Sequence, residues 1–185
     1  MECFFHDKIL KYDGSQLVSH FAYKNFGILG DSIVAFIGPC DVKTPALVDL
    51  EDARDGKFIT SQNMLHFIVE HFTPDLNWAI ACQRLLSSLI IDDIRADQPE
   101  LNLIRRGNDI YDDDFKLNVS IATASPISCL IHTGVNINAN GAPVLAKGLE
   151  DYKLSPQAIA RGVMNRYVDE IRGMQKARTK VRGVS

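Results

Sequence analysis

The chain has 185 residues, of which 46% are hydrophobic, so it can bury one substantial core, and we expect a single domain over residues 1–185. Its formal net charge of -3 argues against nucleic acid as a main partner, because phosphate backbones are bound by basic surfaces. The four cysteines are far apart and indicate neither a zinc site nor a disulfide framework. No apolar stretch reaches the ~20 residues of a membrane span and no signal peptide is recognised, so we expect a cytoplasmic protein without a membrane partner.

Two apolar runs in the first half of the chain predict strands. Ser32–Ile37 is rich in β-branched residues, and the strand is expected to end in a loop that begins at Gly38. Met64–Phe72 alternates between an apolar face and a face that carries His66 and Glu70. That second face is either solvated or functional.

Two longer segments show the helical spacing of apolar residues. Asp75 is expected to cap a mostly buried helix that ends near Asp93. Ser155 followed by Pro156 predicts the start of a second helix. The apolar stripe of this second helix consists of Ile159, Val163, Tyr167, Ile171 and Met174. Residues 176–185 are expected to form a flexible basic tail.

A hairpin is predicted between the helices. Lys116–Ala124 and Ser128–Asn138 both resemble strands, and the three residues between them suit a hairpin loop. Such a loop places Ala124 opposite Ser128, and one sheet face would then collect the polar residues of both strands. That face would carry Lys116, Asn118, Ser120, His132 and Asn136, together with Gly134. A loop one residue longer or shorter would divide them between the two faces.

Lys116 is the first candidate for a chemical role. Its ammonium, close to Asn108, Asp109 and Asn136, would neutralise a developing oxyanion or hold an acyl phosphate in place. An ordinary explanation is also open, in which the lysine ends a strand and extends its ammonium into water. Asp109 likewise has an ordinary explanation as a turn residue.

His132 and Gly134 follow on the second strand of the hairpin. His132 is either catalytic or a core histidine whose hydrogen bonds are satisfied inside the protein. Gly134 permits the close approach of another backbone, which a bound ligand would also need. The motifs GxxxxGK[ST], GxGxxG and GxSxG are absent, so the fingerprints of P-loop, Rossmann and α/β-hydrolase proteins are missing.

Taken together, Arg106–Ile110, Lys116–Leu117 and His132–Ile137 resemble the core motifs of the lipoate and biotin protein ligase and octanoyltransferase superfamily. The resemblance implies a class II synthetase-like α+β fold, with a mostly antiparallel sheet packed by helices. It also implies that Asn108 and Asp109 lie near the phosphates of ATP or their Mg²⁺, with Asp109 as the metal residue, and that Lys116 contacts the activated carboxylate. His132 resembles the octanoyltransferase histidine, while Gly134 and Asn136 belong to a Gly-x-Asn signature on a ligand-binding strand.

The chain also departs from these families. The ligases carry a glycine-rich, arginine-containing loop upstream, whereas residues 52–63 here contain no glycine triplet. Octanoyltransferases need a cysteine after the Gly-x-Asn strand, and residues 139–185 contain none. The chain is therefore similar to a divergent branch of the superfamily, and we expect it in a domain-of-unknown-function family.

Three functions remain open on this basis. The first is an enzyme that binds or activates a small carboxylic acid by ATP-dependent adenylation, with an acyl-carrier protein as acceptor. The second is a non-catalytic small-molecule-binding protein on the same fold. The third, with less support, is action of the basic tail from Lys176 to Arg182 on RNA or an acidic partner. Because exposed strand edges often pair, a homodimer is an additional expectation.

Overall fold

The computed structural model describes residues 1–184. In chain order, the strands are β1 (Glu2–His6), β2 (Ser32–Val42), β3 (Ile59–His71), β4 (Leu103–Arg106), β5 (Asp109–Asp112), β6 (Phe115–Lys116), β7 (Asn118–Ala124) and β8 (Cys129–Asn138). The α-helices are α1 (Phe21–Phe26), α2 (Leu50–Arg54), α3 (Leu76–Asp97) and α4 (Pro156–Thr179), and short 3-10 helices cover Thr44–Ala46 and Leu149–Tyr152. No helix within residues 1–184 has the length and hydropathy needed to cross a membrane.

Five strands form the main sheet, in the order β1-β2-β3-β8-β7. Strand β1 is parallel to β2, and the other neighbours are antiparallel. The remaining strands form a small antiparallel sheet in the order β4-β5-β6. This arrangement agrees with the expected mostly antiparallel α+β architecture.

The two faces of the main sheet are covered differently. Helices α3 and α4 pack on one face, where Leu65, Phe67 and Val69 of β3 contribute to the larger hydrophobic core. The other face carries a smaller apolar cluster around Tyr12 and Phe36. The second face therefore has no long helix upon it, and two adjoining cavities open there.

The helix starts agree with the sequence prediction. The Asp75 carboxylate accepts hydrogen bonds from two backbone amides in the first turn of α3, and Ser155 Oγ accepts one from the Ala158 amide in α4. The α4 stripe is buried through Ile171. Helix α4 nevertheless continues to Thr179, so residues 176–179 of the expected basic tail are helical, while Ser185 lies outside the described residues.

Strand β2 does not end where its sequence predicted. It passes through Gly38 and Pro39 to Val42, with a shift of register between Gly38 and Cys40. A bulge tolerates both residues, because one residue there leaves the hydrogen-bond ladder and Pro39 has no amide hydrogen to donate. Gly38 is required for a second reason: a Cβ at this position would collide with the backbone of Leu10.

The predicted register of β7 and β8 is wrong by one residue. Ala124 lies opposite Cys129 rather than Ser128, because the loop includes Ser128 and is closed by a hydrogen bond from the Ser125 amide to the Ser128 carbonyl. Asn118 and Ser120 therefore do not share a face with His132.

The polar face predicted for β3 is buried rather than solvated. His66 is 0% exposed and Glu70 is 2% exposed. The Glu70 carboxylate accepts hydrogen bonds from the His20 amide and from Ser128 Oγ, which explains how it is tolerated away from water. His66 points toward β8, where it becomes part of the site.

Candidate functional site

Two adjoining cavities open on the sheet face that lacks the long helices. The smaller has a volume of about 240 Å³ and the larger about 430 Å³. Both are lined by Leu47, Asp52, Ile59, Lys116 and Val119, so these residues mark the boundary between them. Deeply buried Tyr12 and His132 line the smaller cavity, whereas Phe58, Met64 and Val144 give the larger one an apolar wall.

Lys116 occupies the boundary as a member of an ion pair. It belongs to β6 of the small sheet rather than to the hairpin strand β7, and it pairs there with Tyr111 of β5. Its Nζ lies 2.8 Å from Oδ2 of Asp109, and both side chains are 28% exposed. The structure thus brings the predicted Lys116 and Asp109 together, and Lys116 lines both cavities.

Asn108 stands beside this pair in the turn between β4 and β5. Gly107 provides the positive φ of that turn (64°), and the Asn108 carbonyl accepts hydrogen bonds from Ser87 Oγ and Asn118 Nδ2. The backbone is therefore fixed, and Asn108 lines the smaller cavity. Its position is compatible with contact to a ligand.

Asn136 and Gly134 have well-defined structural contacts. Asn136 Nδ2 donates to the carbonyls of Lys116 and Lys147, so its amide connects β8 to the segment that carries Lys116, and it lines the larger cavity. A Cβ on Gly134 would lie 3.0 Å from Met64 Cε and 3.4 Å from His132 Cε1. The glycine therefore makes room for those two side chains.

His132 is part of a buried aromatic stack. It is 2% exposed, its Nε2 lies 3.0 Å from His66 Nδ1, and His66 Nε2 lies 3.1 Å from the Gly38 carbonyl oxygen. The Tyr12 ring covers His132 with a centroid separation of 3.7 Å and an interplanar angle of 12°. We call Tyr12, His66 and His132 the aromatic stack.

Burial controls protonation in the aromatic stack. Loss of hydration lowers the pKa of His66 to about 4, although its contact with the Gly38 carbonyl acts in the opposite direction. Burial, followed by the neighbouring His66, lowers the pKa of His132 well below its usual value. Burial also raises the pKa of the Tyr12 phenol. All three rings are therefore uncharged at neutral pH.

The segment from Leu47 to Ile59 also lines the site. Asp49 caps α2 by accepting hydrogen bonds from two backbone amides, and Asp52 pairs with Lys57 at 2.7 Å. Asp49, Asp52 and Asp109 all line the smaller cavity, and no arginine among residues 1–184 lines either cavity. The smaller cavity is consequently the more acidic of the two.

A metal ion fits this site only in a limited way. Within residues 1–184, no three His, Cys, Asp or Glu side chains converge as a metal-binding group. Asp109 offers one carboxylate, which already holds Lys116. Mg²⁺ commonly uses one or two protein carboxylates and completes its coordination with water and substrate phosphates. Asp109 therefore suits a metal that arrives with a nucleotide and does not suit a resident metal.

The sequence did not reveal two members of this site. Tyr12 precedes β2 in the chain and joins the site because its segment runs beside the β2 bulge. The Tyr12 amide donates a hydrogen bond to the Pro39 carbonyl, and the Asp41 amide donates one to the Tyr12 carbonyl. The sequence placed His66 on a face of β3 that was either solvated or functional. It could not show that His66 contacts His132, because that contact depends on the β3–β8 register, in which His66 lies opposite Gly134. The alternation of β3 was the available signal for His66, and none was available for Tyr12.

Comparisons with known proteins agree with this architecture. A family model described as "Domain of unknown function (DUF366)" matches residues 1–182. A protein of unknown function from Pyrococcus horikoshi is 40% identical, with a TM-score of 0.93 over 100% of this chain and 99% of that chain.

Two more distant structures identify the fold. The biotin protein ligase from Aquifex aeolicus, in complex with biotin and ATP, is 13% identical with a TM-score of 0.65, covering 93% of this chain and 72% of that chain. A candidate lipoate protein ligase from T. acidophilum is 14% identical with a TM-score of 0.55, covering 93% of this chain and 86% of that chain. At such low identity these similarities show the fold alone, and they confirm the expected biotin/lipoate ligase-like architecture of a divergent member.

Proposed function

This chain belongs to the DUF366 family and has the biotin/lipoate ligase-like fold, and from that premise we propose that it binds a small carboxylic acid with the carboxylate on Lys116. The observation that carries this proposal is that Lys116 lines both of two adjoining cavities. A partly buried ammonium attracts an anionic group more strongly than one in bulk water, because screening is weaker there.

The larger cavity suits the apolar part of such an acid. Its wall includes Phe58, Ile59, Met64, Val119 and Val144. Most ligand cavities combine an apolar lining with a few polar groups that fix the orientation of the ligand. Two lysines line the larger cavity, Lys57 and Lys116, and of these Lys116 also lines the smaller cavity. The acid would therefore lie with its carboxylate at the boundary between the cavities.

The other predicted residues would support this arrangement. Asp109 would orient the Lys116 ammonium through their ion pair, and Asn108 would offer an amide to the ligand beside it. Asn136 would hold the Lys116 backbone through its hydrogen bond to the Lys116 carbonyl. Gly134 would leave room for the His132 ring, because it has no side chain. His132 would contact the ligand from the floor of the smaller cavity.

Activation of the acid by ATP is the reaction that we propose for this carboxylate. The carboxylate oxygen would attack the α-phosphorus of ATP, forming an acyl adenylate as pyrophosphate leaves, and Lys116 would neutralise the developing charge. Mg²⁺ would arrive on the phosphates and be met by Asp109. An acyl-carrier protein is the acceptor proposed for the acyl group. The Aquifex aeolicus neighbour, which has this fold, is in complex with biotin and ATP.

The test replaces Lys116 and follows both binding and activation. Lys116→Met keeps the length of the side chain but removes the charge, and we expect acid binding to weaken by about 10-fold or more. Lys176→Met, on the exposed face of α4, is the matched control. The protein is incubated with ATP, Mg²⁺ and a pool of carboxylic acids, and acyl adenylate and AMP are detected by mass spectrometry. Equal binding and equal adenylate formation in both variants would contradict the role of Lys116.

A second candidate is a non-catalytic protein that binds the acid without activating it. It is favoured by the aspartates of the smaller cavity and by the lack of a lining arginine among residues 1–184, since a triphosphate needs several cationic partners. In that case the Lys116→Met variant would still lose acid binding, while the parent protein would release neither AMP nor pyrophosphate. Turnover of ATP that depends on Lys116 would exclude this candidate.

A further inference from the structure

The hydrogen bonds of the aromatic stack fix which nitrogen atoms carry hydrogen. The Gly38 carbonyl can only accept a hydrogen bond, so the His66 nitrogen that contacts it, Nε2, must carry the hydrogen. A neutral His66 then has a bare Nδ1, which must accept from Nε2 of His132. A neutral His132 is consequently left with a bare Nδ1.

This last nitrogen opens into the smaller cavity. His132 Nδ1 makes no hydrogen bond within residues 1–184. Every fully buried side-chain nitrogen or oxygen in that range has a hydrogen-bond partner, so His132 Nδ1 is not fully buried. The atom must therefore reach open space, and the open space that His132 lines is the smaller cavity. The Tyr12 hydroxyl is in the same position, because it too lacks a partner in that range and lines the same cavity.

We propose that the smaller cavity is a specificity subsite for an uncharged group with an N–H or O–H donor, and that the bare Nδ1 of His132 accepts the hydrogen bond from that donor. The hydrogen bond to His132 Nδ1 does not involve Lys116. The inference rests on the proposed function only in taking the donor group to be part of the same carboxylic acid.

The environment of His132 selects against charged groups. A bare nitrogen has no hydrogen to donate, so an anion gains no hydrogen bond from His132 Nδ1, and an anionic group is held instead by Lys116 at the boundary between the cavities. The Lys116 ammonium in the wall and the loss of hydration beside Tyr12 disfavour a cation. A neutral amide fits best, because its N–H can donate to His132 while its carbonyl can accept from the Tyr12 hydroxyl.

A ligand without the donor should bind distinctly more weakly. Such a ligand would cover the His132 nitrogen and leave it unpaired, since the residue is only 2% exposed and water would have little access. Leaving one buried polar atom unpaired corresponds to roughly a 10- to 100-fold loss of affinity.

The first measurement is ¹⁵N NMR of the unmodified protein with labelled histidines at pH 7. Protonated and bare ring nitrogens have well-separated resonances, so the tautomers are read directly. We expect hydrogen on Nε2 of both His66 and His132, and a bare Nδ1 on both. Hydrogen on Nδ1 of His132 would overturn the proposal without any ligand or variant.

The second measurement titrates three small rings into the same sample. We expect 2-pyrrolidinone to shift the His132 Nδ1 resonance and N-methyl-2-pyrrolidinone, which differs in lacking the N–H, to leave it nearly unchanged. Pyrrolidine, a cation at pH 7, tests the charge requirement. His71, which contacts Asp31 and Tyr167 elsewhere, is the internal reference. An equal response to both lactams, no response to either, or a response to pyrrolidine alone would each overturn the proposal.

Variants separate this inference from the proposed function. Lys116→Met should lose carboxylate binding and keep the response of His132 to 2-pyrrolidinone. Tyr12→Phe should keep the stack and the tautomers but bind 2-pyrrolidinone more weakly, because it loses the donor to the carbonyl. If no carboxylic acid binds and the lactam response persists, the proposed function fails while the subsite stands.

Discussion

At the residue scale, the aromatic stack links the site to the stability of the protein. His66 and His132 are buried as neutral rings, and each is held by a hydrogen bond that needs one specific tautomer. Protonating either ring places a charge where little water can reach it, which is the reason for their lowered pKa values. The same desolvation that gives His132 a bare nitrogen therefore makes the fold sensitive to acid.

We predict that the free energy of unfolding falls between pH 6.5 and pH 5. The pKa of His66 is about 4 in the folded protein and 6.5 when unfolded, so the unfolded chain binds protons first as pH falls. This stabilisation is complete above pH 6.5 and is lost as pH falls toward 4, and His66 alone accounts for roughly 2 kcal/mol by pH 5. Urea unfolding at pH 7 and pH 5 measures it.

Carboxylates provide the comparison for this pH dependence. The pKa of Asp31 is lowered, mainly by its hydrogen bond with His71. The pKa of Asp112 is also lowered, mainly by its hydrogen bond with Lys147. Their stabilisation is lost only as pH falls below the ordinary carboxyl value, outside the window assigned to His66. Equal unfolding free energies at pH 7 and pH 5 would show that the stack is not buried as neutral rings.

At the element scale, the β2 bulge positions the stack. Gly38 receives the hydrogen bond of His66 through its carbonyl, and its missing side chain lets the segment that contains Leu10 and Tyr12 lie against β2. The sequence predicted a strand end here from Gly38 and Pro39. These residues instead mark the point where β2 bends and takes up the 10–12 segment beside it.

We predict that Gly38→Ala is strongly destabilising. Its Cβ would meet the rigid backbone of Leu10, so either β2 or the Tyr12 segment must move. The expected loss is about 2–4 kcal/mol, with the Tyr12 ring displaced from His132. Denaturant unfolding measures the loss, and the ¹⁵N resonance of His132 reports the displacement.

Gly173→Ala is the matched control for this substitution. Gly173 lies on the exposed part of α4, where an added Cβ would meet nothing within 4 Å. Alanine should stabilise the protein there by about 0.5–1 kcal/mol, because glycine is unfavourable inside helices. A Gly38→Ala protein as stable as the Gly173→Ala protein would refute the close approach of Leu10.

At the scale of the whole molecule, the site is assembled across two sheets. Lys116 and Asp109 come from the small sheet, while His132 comes from the main sheet. Asn118, which is 1% exposed, joins the two: its Oδ1 accepts from the Ile110 amide and its Nδ2 donates to the Asn108 carbonyl. Asn118 therefore helps to fix the relative position of the two sheets, together with Asn136, whose Nδ2 donates to the Lys116 carbonyl.

We predict that Asn118→Ala reduces both stability and ligand binding. It leaves the Ile110 amide and the Asn108 carbonyl without this partner, and the expected loss of unfolding free energy is about 2–4 kcal/mol. Acid binding should weaken as well, because the Lys116–Asp109 pair is no longer held against the main sheet. Urea unfolding and calorimetric titration measure the two effects.

Asn102→Ala, at an exposed position before β4, is the control and should leave both quantities unchanged. Loss of stability with full retention of acid binding would show that the two sheets keep their positions without Asn118. The expected homodimer also belongs to this scale and stays a prediction; β1 and β7 are the edges of the main sheet that it would use.

The sequence by itself determined the features that depend on neighbouring residues. Asp75 and Ser155 cap helices because a cap needs only the first turn, and the α4 stripe follows from helical periodicity. The motifs around Asn108, Lys116 and His132 were also sufficient to indicate the fold, which the structural neighbours confirm.

The tertiary structure alone decided which side chains meet. One additional loop residue, Ser128, reversed the faces of Asn118 and Ser120 relative to His132, because side chains alternate along a strand. The contact between His66 and His132 depends on the pairing of β3 with β8, and Tyr12 reaches them from a segment beside the β2 bulge. These are long-range contacts, and no local pattern specifies them, so the cavities and the bare nitrogen of His132 could be found only in the folded chain.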